Sequence, residues 1–140
     1  MLTIKSVVRP SPIHGLGCFA AESVAQGQVV WEFHPAIDRR FAPHELARLP
    51  AAILEHFRTY AWVNPVDNCV LFSGDHSKFF NHSDDANTKM TPDGYRCVAC
   101  RDIAAGEELT CNYQELPDIP DPSRTPGASF GFAWCASGDE

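Results

Sequence analysis

The sequence predicts a β-rich α+β domain of short strands with one helical insertion. Three observations carry that expectation. Short runs of β-branched and aromatic residues recur along the chain, each closed by Gly, Pro, Asn or Asp. Helical periodicity is confined to about residues 41–62. The 140 residues, 44% hydrophobic and 21% charged, suit one domain with a sizeable core rather than two.

In chain order, Val7 and Val8 mark a first strand that Pro10-Ser11-Pro12 ends. His14-Gly15-Leu16-Gly17 follows, where two glycines permit a tight turn and close approach of a ligand to the backbone. It lacks the third glycine and the βαβ context of a dinucleotide fold. Gln28 to Phe33 reads as a strand closed by Pro35. Pro43-His44-Glu45-Leu46 starts a short helix, and Pro50 suits the first position of a second. Ile53, Leu54, Phe57 and Ala61 share one helical face and are expected to pack in the core, with His44 and His56 on the surface. Cys69 to Phe72 is a short buried-type strand. Pro92-Asp93-Gly94 signals a hairpin into the best strand, Tyr95 to Ile103, and Glu108 to Tyr113 forms a last one. Residues 1–115 form the domain. Residues 116–140 form a tail with four prolines between Leu116 and Pro126, ending in Phe130, Phe132 and Trp134, aromatic spacing that suggests it folds back over the active site.

One stretch fits neither helix nor strand. Phe79 and Phe80 lead into five consecutive polar residues from Asn81, with Asn87 close behind. Asn, Ser and Asp side chains compete for backbone hydrogen bonds, so this is a shaped polar loop of the kind that carries function.

Composition limits the function. The formal net charge of −7 argues against direct nucleic-acid binding and suits a basic partner through electrostatic steering. No apolar run is long enough for a membrane span and the first residues lack a signal-peptide core, so an intracellular, cytoplasmic protein is expected. Six cysteines in that setting are expected to be reduced. Cys97 and Cys100 lie three apart in a strand-like run, which points their side chains to opposite faces, and no second ligand pair follows; no metal is expected.

Four pieces in order, His14-Gly15-Leu16-Gly17-Cys18-Phe19, Gly27 to Phe33, Phe80-Asn81-His82-Ser83 with Asn87, and Gly106-Glu107-Glu108-Leu109-Thr110 ending at Tyr113, resemble the signatures of SET-domain protein-lysine methyltransferases. The resemblance covers about residues 7–113. It implies a fold of several small sheets around a pseudoknot, and S-adenosyl-L-methionine as cofactor. It further implies that His14, Gly15, Leu16 and Gly17 cradle the cofactor with Asn81 and His82. Tyr113 is then the catalytic residue where cofactor meets substrate, and a basic, lysine-containing protein is the expected partner.

These residue types suit the chemistry. Methyl transfer from a sulfonium to an amine needs neither a protein nucleophile nor a metal, but it needs a neutral amine. A lysine of pKa about 10.4 is neutral only about one part in a thousand near neutral pH, a cost of about 4 kcal/mol. A neighbouring positive charge and an apolar channel lower that pKa, and alignment contributes up to about 7–11 kcal/mol. Tyr113 supplies a hydroxyl. Phe33, Phe80, Met90, Cys111 and the tail aromatics Phe130, Phe132 and Trp134 are the expected channel walls. Three departures from the family matter: Phe33 stands where Tyr is common, Asn112 where Asp is common, and only Cys135 follows Tyr113 where relatives carry a zinc cluster. They point to a zinc-free member whose channel is closed by the tail or by the partner subunit of a homodimer. Met90 and Cys111 stand where bulkier residues limit methyl number, so more than one methyl per lysine is expected. A non-catalytic module binding a basic tail, and a cysteine hydrolase using Cys18 or Cys111 with His82, are the competing readings.

Overall fold

The computed structural model describes residues 1–117 and 119. The elements run β1 (Ser6–Pro10), β2 (Leu16–Ala20), β3 (Val29–Glu32), β4 (Arg39–Phe41), α1 (Pro43–Leu46), α2 (Ala51–Tyr60), β5 (Trp62–Val63), β6 (Val70–Phe72), a 3-10 turn (His76–Phe79), β7 (Asn81–His82), β8 (Thr88–Met90), β9 (Arg96–Ala99), β10 (Thr110–Cys111) and a second 3-10 turn (Tyr113–Glu115). The helical insertion thus falls between β4 and β5. Glu45 accepts the backbone N–H of Ala42 at 2.6 Å and anchors its entry.

Four small sheets result. β1 and β2 form an antiparallel hairpin with Ser6 opposite Ala20 and Pro10 opposite Leu16. Gly15, at φ 49°, makes the turn in a conformation most side chains avoid. β3, β9 and β8 form an antiparallel sheet in that order, and β4, β6 and β5 form another. β7 and β10 pair in parallel, Asn81 with Thr110 and Cys111 with His82.

The main core collects Cys18, Val24, Trp31, Phe80, Cys97, Ile103 and Leu109 from several sheets. A second cluster of Leu46, Phe57, Val63 and Val70 joins the helices to β5 and β6. Phe57 lies edge-on to Phe41 at 5.2 Å and tilted on Phe72 at 4.9 Å. Ile53 departs from the helical-face expectation, being 43% exposed. Phe57 is the buried residue of α2, and Leu54 and Ala61 pack partly buried beside it. His44 and His56 are exposed as expected.

The long strand expected from Tyr95 to Ile103 is shorter. β9 ends at Ala99, and the chain bends through Cys100 and Arg101 so that Ile103 pairs with Val24 instead. Of the thiols expected to be reduced, Cys18, Cys97, Cys100 and Cys111 are free, whereas Cys69 is disulfide-bonded.

The segment 106–111 decides the architecture. Leu109 N–H donates to Cys18 O at 2.8 Å, Ala20 N–H to Glu107 O at 2.9 Å and Gly106 N–H to Ala20 O at 2.7 Å. On its other side Thr110 and Cys111 pair with β7. The segment is therefore clasped between β2 and β7, two elements far apart in sequence.

Candidate active site

The polar loop is built around Asn81, which is 7% exposed. Its Nδ2 reaches His14 O at 3.0 Å, Leu16 O at 3.1 Å and Glu108 Oε1 at 2.8 Å. Ser11 Oγ donates to the same carboxylate, 2.7 and 2.8 Å from its two oxygens. One carboxylate thus ties the glycine turn to the polar loop. Gly17 packs tightly against it: a Cβ there would lie 2.3 Å from Glu108 Oε1 and 3.0 Å from Ser11 Cβ. Only glycine lets the two segments approach so closely. A Cβ on Gly15 would meet nothing within 4 Å, so the outer edge of the turn faces open space.

Asn87, 3% exposed, fastens the other end of the loop. Its Oδ1 accepts Thr110 N–H at 2.9 Å and its Nδ2 donates to Glu108 O at 2.8 Å. Its own N–H donates to Thr110 Oγ1 at 3.1 Å. A side chain satisfying two backbone groups of a strand with no regular neighbour there replaces a missing strand.

His82 and Tyr113 stand together on the far side. The Tyr113 N–H donates to His82 Nδ1 at 3.0 Å, and the rings lie 5.4 Å apart. With Nδ1 accepting, the neutral ring carries its proton on Nε2, which lies 3.0 Å from Asp84 Oδ1. The Tyr113 hydroxyl donates to Phe80 O at 2.5 Å. Burial, with Cys111 and Glu108 nearby, pushes that hydroxyl up to about 12, so it keeps its proton at any working pH.

Behind Tyr113 opens a pocket of about 180 Å³. Phe80, Met90, Cys111 and Tyr113 line it, with Trp31, Tyr60 and Trp62 on the wall toward α2. The indoles of Trp31 and Trp62 meet edge-on at 5.4 Å. Tyr113 is shared by two neighbourhoods: the pocket and the His82 cluster that leads to the glycine turn. Phe33 is elsewhere. It packs edge-on against Tyr95 at 5.6 Å and does not line this pocket. Phe130, Phe132 and Trp134 lie outside the described residues.

Sequence reasoning gave no role to Ser11, Glu108 or the Trp31–Trp62 pair. Glu108 sat inside a quoted motif, flanked by Glu107, with nothing to distinguish the two. In the structure Glu107 pairs with Arg101 at 2.8 Å on the surface, while Glu108 turns inward. Among the described residues, no group of His, Cys, Asp and Glu is placed to hold a metal. The cysteine-hydrolase reading has no geometry behind it. Burial pushes the thiols of Cys18 up to about 11 and of Cys111 up to about 12, the opposite of activation.

Those shifts carry a prediction. Cys97 is likewise pushed up to about 12 by burial. The folded state therefore retains protons that the unfolded chain, with thiols near 9.0 and Tyr near 10.0, releases. The stabilisation is complete below about pH 9 and is lost as pH climbs toward 12. Thermal unfolding followed from about pH 8 to about pH 11 should show a falling midpoint. A midpoint that stays level or rises over that range would mean the thiols are solvated in the native state.

A β-rich fold with a clasped C-terminal segment, a glycine turn held to an Asn-His loop, and a tyrosine between them and an aromatic pocket define one class of protein. The SET domain family model matches residues 15–114, and the chain belongs to that family. Its fold is the SET fold, and the clasped segment is the family's pseudoknot. No curated protein matches the chain. Among solved structures, a mutated apo ctPRC2 is 25% identical with a TM-score of 0.66, covering 84% of this chain and 16% of that one. A humanized mutant of Chaetomium thermophilum Polycomb Repressive Complex 2, bound to an inhibitor, is 26% identical with a TM-score of 0.61 and the same coverages. A ctPRC2 in an autoinhibited conformation bound to S-adenosylmethionine is 24% identical with a TM-score of 0.63, again over 84% and 16%. The chain thus spans about a sixth of the length of these proteins. A provisionally assigned histone methyltransferase of Plasmodium falciparum shares the fold at 18% identity and a TM-score of 0.54, over 80% of this chain and 95% of that one. No helix among the described residues is long and apolar enough to cross a membrane.

Proposed function

We propose that the chain is an S-adenosylmethionine-dependent protein-lysine N-methyltransferase. The observation that carries the reading is the double membership of Tyr113, in the aromatic pocket and in the His82 cluster. The residues fit the cofactor. The open edge at Gly15 and the exposed residues His14 and Leu16, with His82, would form the cradle, while the Asn81 amide donates to the His14 and Leu16 carbonyls and holds its shape. When bound there, S-adenosylmethionine supplies an activated methyl group and a positive charge.

The chain's own residues do the rest. Phe80, Met90, Cys111 and the tryptophans form a largely apolar pocket that favours the neutral form of an entering amine. The Tyr113 hydroxyl, fixed by Phe80 O, orients the amine for in-line attack. No protein base is needed where solvent can accept the amine proton before transfer. Long-range steering by the net charge of −7 favours a basic protein as substrate. Among the described residues expected to wall the channel, Phe33 does not line the pocket, whereas Phe80, Met90 and Cys111 do.

Calorimetry with S-adenosylhomocysteine, followed by labelled methyl transfer to a basic protein mixture, tests the reading. Micromolar binding and label on lysine are expected; no binding would end it. With Met90 and Cys111 leaving room in the pocket, mass spectrometry at exhaustive turnover should show dimethyl or trimethyl product. Cys111→Phe should restrict the product to monomethyl-lysine. Only monomethyl product from the unmodified chain would show that some other group limits the space.

A further inference from the structure

Net charge and local charge have opposite signs at the pocket. The chain carries −7 overall, yet the charged side chains lining the pocket are Arg58, Lys78 and Lys89 against Glu115. The Lys78 ammonium lies 5.8 Å and 5.6 Å from the ring centres of Phe72 and Phe79. Lys89 is exposed on β8. Neither lysine forms an ion pair among the described residues.

Two lysines on the pocket wall without an ion pair among the described residues call for negative charge on the segment that lies beside the entering group.

We infer that the pocket takes its target lysine from an acidic stretch, with Asp or Glu beside that lysine facing Lys78 and Lys89. The lysine itself rests on the methyl-transfer reading; the charge of its flanks rests on the rim. There is no conflict with steering by net charge. At physiological salt the screening length is about 8 Å, so the rim governs contact while the whole chain's field governs approach.

Dye-labelled short peptides, each with one central lysine and flanks of Asp and Glu, of Arg, or of Ser and Gly, test this. They are titrated with the full chain and S-adenosylhomocysteine, and binding is followed by fluorescence anisotropy at low and high salt. Exposed ion pairs are individually weak, so acidic flanks should bind about fivefold tighter than Arg flanks, with the gap closing in high salt. Lys78→Glu combined with Lys89→Glu should reverse the order, and circular dichroism checks that the variant is folded. Equal or tighter binding of the neutral or Arg-flanked peptides, no peptide binding at all, or a preference untouched by the charge reversal would overturn the inference. Calorimetry on the same samples separates the two readings. A chain that selects acidic flanks without binding S-adenosylhomocysteine loses only the methyl-transfer reading. One that binds it without selecting loses only this inference.

Discussion

Tyr113→Phe is expected to lower methyl transfer about a hundredfold while leaving S-adenosylhomocysteine binding unchanged. The magnitude is that of removing one oriented hydrogen-bonding group from the reacting site. The substitution deletes the oxygen that sits 2.5 Å from Phe80 O and keeps the ring that packs 5.4 Å from His82. The backbone bond from Tyr113 to His82 Nδ1 also survives, so the cofactor side should not move. Stability should fall by about 0.5–1.5 kcal/mol, the ordinary worth of one hydrogen bond. Single-turnover transfer with labelled cofactor reads the effect. A variant as fast as the unmodified chain would remove Tyr113 from the reaction and favour a binding module. A loss of cofactor affinity equal to the loss of rate would make the hydroxyl a binding group instead.

Asn87→Ala should destabilise the fold by about 2–5 kcal/mol. The alanine leaves Thr110 N–H and Glu108 C=O without their partners in a place where Asn87 is 3% and Thr110 7% exposed. Each such group costs about 1–3 kcal/mol when buried and unpaired. Asn87→Asp should be no gentler, because it keeps the acceptor for Thr110 but turns a carboxylate oxygen toward the Glu108 carbonyl. Urea unfolding measures both variants, with the midpoint expected to drop at nearly constant slope. Cofactor binding should weaken with stability, since the same segment carries Glu108, which braces Asn81 and the glycine turn. An unchanged midpoint would show that β2 and β7 hold the clasp without Asn87. The two variants thus divide the site: one touches chemistry and spares the fold, the other loosens the fold that holds the chemistry.

The glycine turn, the Asn-His loop and Tyr113 were legible because backbone freedom, hydrogen-bonding capacity and phenolic chemistry belong to residue types and survive without coordinates. The hairpin at Gly94 was legible for the same reason: Pro-Asp-Gly is local turn chemistry, and Gly94 takes φ 74° there. Asn81 and His82 were not legible as a strand. Two polar residues have no strand propensity, and they become one only because Thr110 and Cys111 arrive beside them in parallel. The early end of β9 has a similar cause, since Ile103 exchanges hydrogen bonds with Val24, a partner no local pattern identifies. Glu108 could not be told from Glu107 until strand pairing turned one inward and left the other on Arg101.

By itself the sequence determined the class of fold, the family signatures and the residue types able to do the chemistry, because these follow from local propensity and side-chain chemistry. Only the tertiary structure decided which carboxylate braces the site, that Phe33 turns away from the pocket, and that two indoles and two lysines converge on it. Each of those depends on contacts between segments far apart along the chain. Such contacts form only when one segment passes between two others, and residue order alone carries no distance.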